Sequence, residues 1–351
     1  MSSEILSTHR DDTEEAVLEI RDLRVSFEMD TGNVHAVNGA NFNIGRGETV
    51  CVVGETGAGK SVTAFSVMRL LGAGGVSKRA RLDGDIVFRP GDGKEYHILS
   101  LETQEMLAIR GRHISMIYQE PMNSLNPVYT CGDQIAEVLV YHDQKTKSEA
   151  MSAAEEILDS VGIPDASRVL KSYPHELSGG MQQRVMIAMA LVLHPTLLIT
   201  DEPTTAIDVT IQAQILNLFQ QIQQTSGTSI LFITHDVSVV AQIADRVVVM
   251  YAGYTVEIGS VYDVFRNPLH PYTKGLLKSI PKQLKPGEKP ERLTPIPGTV
   301  PNPAALPSGC PFHPRCDWAE ERCKESMPGI DTAETGQTVM CWRWQELQQA
   351  L

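Results

Sequence analysis

Long apolar runs are absent from this sequence of 351 residues. The longest, residues 186–199, has 14 residues and is interrupted by His194 and Pro195, whereas a membrane-spanning helix needs roughly 18 or more. The first residues have neither the basic flank nor the apolar segment of a secretory signal. We therefore expect a soluble, cytoplasmic protein, unless a partner holds it at a membrane.

An excess of positive charge is also lacking. The chain has 30 Lys and Arg against 43 Asp and Glu, a net charge of −13. Proteins that coat nucleic acid need a basic surface to neutralise phosphates, so we expect no nucleic-acid partner. Apolar residues make up 42% of the chain, which is enough for the cores of two compact domains.

Repeats and low-complexity tracts are missing, but proline and cysteine are unevenly placed. Thirteen of the 20 prolines and four of the six cysteines lie in the last 88 residues. We predict a large domain over residues 17–265, followed by a proline-rich extension over residues 266–351 that ends in a small cysteine-containing module.

Within the large domain, apolar strands alternate with helical patterns. Residues 48–53, 197–201, 229–233 and 246–250 read as buried strands, and a helix is expected at about residues 60–71. Such alternation favours an α/β fold with a mostly parallel sheet covered on both faces.

A phosphate-binding loop follows the first of these buried strands. It matches G-x-x-x-x-G-K-[ST] and consists of Gly54, Glu55, Thr56, Gly57, Ala58, Gly59, Lys60 and Ser61. The glycines let backbone N–H groups surround phosphate oxygens, and the helix N-terminus adds a positive dipole end. In this motif the lysine reaches the β- and γ-phosphates, and the serine hydroxyl binds Mg²⁺. A glycine-rich turn that binds nothing is the alternative.

Two acidic residues end the second buried strand. Asp201 can hold Mg²⁺ and Glu202 can polarise an attacking water molecule. Acidic helix capping is the alternative reading of this pair, and the phosphate loop upstream argues against it.

A second candidate anion site lies between these two motifs, in residues 177–184, which we call the Ser-Gly-Gly segment. Ser178 is expected to begin a helix whose first residues are Gly179 and Gly180. Alone this would be ordinary helix capping. The combination with the phosphate loop, Asp201-Glu202 and His235 is far more specific.

These motifs, in this order, resemble the ATP-binding subunits of ABC transporters over about residues 17–265. The resemblance implies a P-loop NTPase of the ABC type, with a parallel core sheet, an antiparallel β subdomain and a helical subdomain at about residues 126–180. It also implies that two such domains sandwich two ATP molecules head to tail. The phosphate loop of one domain would then face the Ser-Gly-Gly segment of the other.

The resemblance also implies roles for single residues. Glu202 is similar to the catalytic carboxylate, His235 to the histidine that contacts the γ-phosphate, and Gln119 to a catalytic glutamine that touches Mg²⁺ and water. Ser61, Gln119 and Asp201 would hold Mg²⁺. Outside the phosphate loop, the expected nucleotide-binding residues are Phe27, Ser178, Gly179, Gly180, Met181, Gln182 and Asp208. Phe27 would stack on adenine, although a lone phenylalanine after a strand is often a core residue.

Further segments resemble the ATPases of bacterial dipeptide and oligopeptide importers in particular. They are residues 119–127, 173–177, 201–212, 267–273 and 295–298. This resemblance implies peptide import with a second, non-identical ATPase subunit, two transmembrane permeases and an extracytoplasmic peptide-binding protein. The protein would lie at the cytoplasmic face of the inner membrane. Relatives of this build also carry nickel or glutathione, so those substrates stay open.

Two other classes are disfavoured by the residues. ABC-type ATPases that act on DNA or ribosomes carry a coiled-coil insertion or two nucleotide domains, and this chain has one phosphate loop and no sustained heptads. A non-hydrolysing interaction subunit would be expected to lack Glu202, Lys60 or His235, and all three are present.

The C-terminal cysteines are spaced Cys310-x₅-Cys316-x₆-Cys323-x₁₇-Cys341. Four thiolates can hold zinc or a [4Fe–4S] cluster, although the gaps are wider than in most structural zinc sites. The peptide-importer resemblance implies the cluster, as a structural centre that holds a short segment together. Zinc, free thiols and disulfides stay open as alternatives, disulfides being disfavoured in cytosol.

Overall fold

The computed structural model describes residues 16–30, 32–72, 79–118, 124–205, 207–280 and 295–349. In chain order the strands are β1 (Leu18–Met29), β2 (Gly32–Ile44), β3 (Thr49–Val53), β4 (Ala80–Phe88), β5 (Tyr96–His97), β6 (Ile114–Ile117), β7 (Leu197–Asp201), β8 (Ser229–Thr234), β9 (Arg246–Tyr251), β10 (Tyr254–Ser260), β11 (Asp331–Thr332) and β12 (Thr338–Val339). In these ranges we find no helix with the length and apolar character that a bilayer crossing requires.

The helices are α1 (Lys60–Val67), α2 (Thr103–Ile109), α3 (Cys131–Asp143), α4 (Lys147–Ser160), α5 (Ala166–Lys171), α6 (Gly179–Leu191), α7 (Val209–Ser226), α8 (Val237–Ile243), α9 (Val261–Arg266), α10 (Pro271–Lys278), α11 (Glu321–Glu325) and α12 (Trp344–Gln349). Helix α1 is shorter than predicted because Arg69 adopts a left-handed conformation with φ of 49°, which a continuing α-helix cannot accommodate.

The core sheet has a parallel part in the order β9-β3-β8-β7-β6. Every residue of β3, β7 and β8 is buried, because helices or the second sheet cover both faces; this explains the unbroken apolar runs. In a parallel sheet the carboxyl ends of neighbouring strands meet at one edge, where ligands bind. That edge brings together the loops after β3, β7 and β8.

The second sheet is antiparallel throughout, with the order β2-β1-β4-β5. Its apolar side chains share one core with those on one face of the parallel sheet. Helices α3, α4 and α5 pack against one another and, with α6, share the other core. The predicted α/β class is therefore confirmed, with a mostly parallel core sheet, an antiparallel β part and a helical part.

The C-terminal residues extend the core sheet. Strand β12 pairs antiparallel with β10, where Glu257 lies opposite Val339, and β11 pairs with β12. Leu269, Ala333, Val339 and Trp344 form a small buried cluster beside this edge. The domain boundary near residue 265 stays a prediction, and the sheet runs across that point of the sequence.

Candidate nucleotide site

The phosphate loop joins the end of β3 to the start of α1, as predicted. Two of its glycines have backbone conformations and neighbours that no side chain would tolerate. At Gly54, with φ of 155°, a Cβ atom would lie 2.2 Å from the carbonyl oxygen of Met250. At Gly59, with φ of 96°, it would lie 2.6 Å from the carbonyl oxygen of Ala36. The loop is thus packed tightly from outside, which restricts its backbone to one conformation.

Lys60 is the buried cation of this loop, with 6% of its surface exposed. Its Nζ donates hydrogen bonds to the carbonyl oxygens of Gly54 at 2.8 Å and Glu55 at 3.2 Å. Burial lowers the pKa of this ammonium group, and the carboxylates of Glu202, Asp201 and Glu55 oppose that shift. The ammonium group is therefore held inside the loop by weak acceptors that a triphosphate can replace.

Ser61 and Asp201 meet at the edge of the sheet. The Ser61 hydroxyl donates a hydrogen bond of 2.9 Å to Oδ1 of Asp201, which is 3% exposed. Burial raises the pKa of the Asp201 carboxyl, while the hydrogen bond from Ser61 opposes the shift. A hydroxyl and a carboxylate oxygen in contact are the hard oxygen ligands that Mg²⁺ prefers, so the pair fits that ion. The third predicted ligand, Gln119, lies outside the described residues.

Glu202 and His235 form the next pair along the same edge. His235 Nδ1 lies 3.0 Å from Oε1 of Glu202, and the Thr205 hydroxyl donates a 3.0 Å hydrogen bond to Oε2. Glu202 has φ of 49°, and its backbone N–H donates to the carbonyl oxygen of Ile233 at 2.9 Å. The strained backbone is held by the adjacent strand β8. A carboxylate in this position can act as a general base. The histidine beside it has 54% of its side chain exposed and is therefore accessible to a ligand.

The Ser-Gly-Gly segment begins a helix, as predicted. Ser178 is the N-cap of α6, and its hydroxyl accepts a hydrogen bond from the N–H of Met181 at 3.4 Å. Gly179 is exposed, so the start of α6 faces solvent. Downstream, the buried Gln183 side chain donates to the carbonyl oxygen of Pro203 at 2.8 Å. This bond connects α6 to the loop that carries Glu202.

Three further residues that were predicted to bind the nucleotide make other contacts. Asp208 is the N-cap of α7, where its side chain accepts hydrogen bonds of 3.0 Å from the N–H groups of Thr210 and Ile211. Gln182 donates to the carbonyl oxygens of Pro174 and Leu177. Phe27 lies on β1, half-buried against the core shared by the two sheets. Its stacking on adenine stays a prediction.

The comparisons with known proteins agree with this geometry. Residues 37–205 match the family model described as "ABC transporter", and residues 256–323 match "Oligopeptide/dipeptide transporter, C-terminal region". The oligopeptide transport ATP-binding protein OppD of Escherichia coli is 48% identical over 329 residues, which cover 94% of both chains.

A second relative matches over nearly the same length. The oligopeptide transport ATP-binding protein AppD of Bacillus subtilis is 48% identical over 330 residues, covering 94% of this chain and 97% of that protein. The chain belongs to the peptide-transporter branch of the ABC ATP-binding proteins. It is therefore an ABC-type ATPase, a class of enzyme that uses ATP with Mg²⁺.

A solved structure supports the assignment to the ABC ATPases. The structure of cbiO1 from Clostridium perfringens, part of the ABC transporter complex cbiONQ, has a TM-score of 0.60 and 27% sequence identity. It covers 72% of this ABC ATPase and 92% of the other chain.

The four C-terminal cysteines of the ABC ATPase line one cavity, together with His313, Phe312 and Trp318. All four are free thiols. Burial raises the pKa of Cys310 to about 11 and that of Cys316 to about 12. Within the described ranges, no group of three or more Cys, His, Asp or Glu side chains is arranged to hold a metal ion. The predicted [4Fe–4S] ligation is therefore not shown by this structure and stays a prediction.

Two residues that contact Glu55 in the phosphate loop, Tyr272 and Arg315, were not predicted from the sequence. The N–H of Glu55 donates a hydrogen bond of 2.8 Å to the hydroxyl of Tyr272, a buried residue of α10. The Glu55 side chain pairs with Arg315. The sequence signal was only indirect: Tyr272 lies in the segment 267–273 and Arg315 directly precedes Cys316, and neither position indicates contact with a loop so distant in sequence.

Proposed function

We propose that this ABC ATPase powers the import of dipeptides and oligopeptides across a bacterial inner membrane. The observation that carries the proposal is the match of residues 256–323 to the oligopeptide and dipeptide transporter C-terminal region, in a chain whose nucleotide site holds Lys60, Ser61, Asp201, Glu202 and His235 at one sheet edge. Relatives described as oligopeptide transport proteins align with 94% of the chain. The part of the site that the structure describes supports hydrolysis rather than a purely structural role.

In the proposed reaction, ATP is bound by the phosphate loop, with Lys60 on its terminal phosphates. Mg²⁺ would neutralise charge on the β- and γ-phosphates, held by Ser61, Asp201 and Gln119. Glu202 would accept a proton from the attacking water molecule, and His235 would contact the γ-phosphate. The tight packing behind Gly54 and Gly59 keeps the loop N–H groups in position, so little reorganisation is needed when charge develops.

The Ser-Gly-Gly segment is proposed to complete the ATP site of a second, homologous ATPase subunit in a heterodimer. Its capped, solvent-facing helix start supports this role, because N–H groups at a helix N-terminus bind anions. Vanadate with Mg-ATP should therefore trap a closed dimer in the presence of the partner ATPase and permeases. Failure to trap any dimer under these conditions would contradict the two-subunit site.

Transport itself can be tested in proteoliposomes that contain the ATPases, two permeases and the extracytoplasmic binding protein. ATP-dependent accumulation of a labelled tripeptide supports peptide import, and a complex containing Glu202→Gln is the inactive control. Uptake of nickel or glutathione without peptide uptake would instead place this chain among importers with those substrates.

Attachment to the permeases is proposed to occur through the helical part of the molecule, at the cytoplasmic face of the membrane. Val128 is 70% exposed, Tyr129 56% and Tyr141 68%, which is unusual for large apolar or aromatic side chains and typical of contact surfaces. Co-purification with the permeases supports this arrangement. Co-purification with ribosomes or DNA instead would favour a soluble ABC ATPase.

We further propose that the four cysteines bind a [4Fe–4S] cluster, with zinc as the alternative. The support is that all four line one cavity and that the N–H of Cys310 donates to the carbonyl oxygen of Cys323 at 2.8 Å. Four thiolates are a donor set that fits either centre. Anaerobically purified protein should absorb at about 400 nm. A colourless sample with stoichiometric zinc would contradict the cluster, and metal-free protein would contradict both.

A further inference from the structure

Arg315, from the segment between Cys310 and Cys316, reaches the phosphate loop. Its Nη1 donates to Oε2 of Glu55 at 2.7 Å and its Nη2 donates to Oε1 at 3.0 Å, which makes a bidentate ion pair. The Arg315 side chain is 4% exposed and the Glu55 side chain 32%. A buried, bidentate arginine–carboxylate pair holds both side chains rigidly, because the planar guanidinium group matches the geometry of the carboxylate.

The remaining donors of Arg315 are also used. Its Nε donates to the carbonyl oxygen of Pro297 at 2.8 Å, and Nη1 also donates to the hydroxyl of Tyr251 at 3.3 Å. The guanidinium carbon lies 5.7 Å from the centre of the Tyr251 ring. Arg315 is therefore fixed from several sides, and Glu55 is a partner that it holds rather than a chance contact.

Aromatic packing stabilises the same junction. Phe312, 4% exposed, packs its ring against those of Tyr251 and Tyr272, with centroid distances of 5.1 Å and 5.5 Å. Tyr272 in turn accepts the backbone N–H of Glu55. Both the backbone and the side chain of Glu55 are thus held by residues of the C-terminal extension, Tyr272 and Arg315.

We propose that Arg315 is a positioning residue for the phosphate loop. It holds Glu55, and through it the turn in which the N–H of Ala58 donates to the carbonyl oxygen of Glu55 at 3.1 Å. Lys60 donates to that same carbonyl oxygen. The C-terminal extension therefore preorganises the ATP site of its own subunit, without touching the substrate. The proposal rests on ATP binding at this loop, which the wild-type protein tests separately.

The test compares Arg315→Gln, Glu55→Gln and the double variant in the full-length chain, by titration with a fluorescent ATP analogue. Each single change should weaken binding about tenfold, the size expected for losing a hydrogen-bonded charge partner. The double variant should be no weaker than either single one, because both remove the same interaction. In the assembled transporter, the loss in Arg315→Gln should fall on the KM for ATP rather than on kcat, since the pair acts on binding.

Two further variants separate positioning from general loss of structure. Arg315→Lys keeps the positive charge but cannot form the bidentate pair. It should therefore bind ATP more tightly than Arg315→Gln and less tightly than the wild type. Arg322→Gln is the matched control from α11 of the same extension; its side chain pairs with Glu320 and donates to the carbonyl oxygen of Trp342. It should bind ATP like the wild type.

Thermal unfolding identifies any misfolded variant. If Arg315→Gln does not fold, the test still rests on Glu55→Gln, because Glu55 is partly exposed and its replacement should be tolerated. Unchanged ATP affinity in a folded Arg315→Gln or Glu55→Gln variant would overturn the proposal. Additive losses in the double variant would do the same. If the wild-type chain itself binds no ATP, the proposed ATPase function fails and not only the positioning role.

Discussion

His235 Nδ1 lies 3.0 Å from Oε1 of Glu202, although the two residues belong to different loops. Strands β7 and β8 are parallel neighbours, with Asp201 paired to Ile233, so their following loops meet at one edge. A carboxylate in that place can accept a proton from water, while the histidine is free to contact the terminal phosphate. In the proposed mechanism, this pair therefore connects the sheet topology to hydrolysis.

Replacing Glu202 with Gln should reduce kcat by roughly 10²–10⁴, because one general base contributes about that factor. ATP binding should persist, since the phosphate contacts come from the loop after β3. Phosphate release from the assembled transporter, measured beside ATP-analogue binding, checks both parts.

The control for this change is Glu321→Gln, at an exposed glutamate that pairs with Lys324 in α11. It should leave turnover unchanged. Near wild-type turnover in Glu202→Gln would remove this residue from the role of catalytic base.

Replacing Lys60 with Ala should weaken ATP binding more than it changes any later step. The buried ammonium group donates to the carbonyl oxygens of Gly54 and Glu55, and a triphosphate offers it much stronger acceptors. We expect a loss of at least about tenfold in affinity, as for other charged hydrogen bonds. Equilibrium binding of an ATP analogue checks this, and an unchanged dissociation constant contradicts the assignment.

Replacing Asp201 with Asn should raise the Mg²⁺ concentration that hydrolysis requires. The amide still accepts the hydrogen bond from Ser61 but has lost the negative charge that attracts the cation. The measurement is ATPase activity as a function of free Mg²⁺ at fixed ATP. A shifted half-maximal concentration with preserved folding supports the ligand role, whereas an identical Mg²⁺ curve would argue that Asp201 is only a strand-end hydrogen-bond acceptor.

Stability should depend on pH through His270, the buried N-cap of α10. Its Nδ1 accepts the N–H of Tyr272 at 3.0 Å, and burial lowers its pKa to about 3. The unfolded chain binds the proton near pH 6.5, so this contribution is complete above about pH 6.5 and declines as the pH falls toward about 3. Within that window the loss is about 1.4 kcal/mol of unfolding free energy per pH unit.

The variant His270→Asn can still cap the helix but cannot titrate, so its stability should fall less steeply between about pH 7 and 5. His175→Asn, at an exposed position, is the control with an unchanged slope. Burial raises the pKa of Glu257, which accepts the backbone N–H of His270 at 2.9 Å. Its contribution has the opposite sign, and the residue is retained in all three proteins. Equal slopes for wild type and His270→Asn in urea titrations would contradict the prediction.

Several parts of the site could be predicted because they depend on residues close in sequence. The run from Gly54 to Ser61 forms its loop between β3 and α1, and Ser178 caps α6 through its own neighbours. Asp201 was placed at a strand end because the apolar run before it has the length of a buried strand. Local hydrogen bonds and the periodicity of apolar residues can both be recognised in the sequence alone.

The sequence by itself therefore determined the phosphate loop, the acidic strand end, the Ser178 helix cap and the class of fold. Only the tertiary structure decided that Arg315 pairs with Glu55, that Tyr272 holds the same residue, and that β12 extends the core sheet at β10. These contacts join residues far apart along the chain. Their geometry follows from how the C-terminal extension packs on the sheet, and no spacing or periodicity in the sequence specifies that packing.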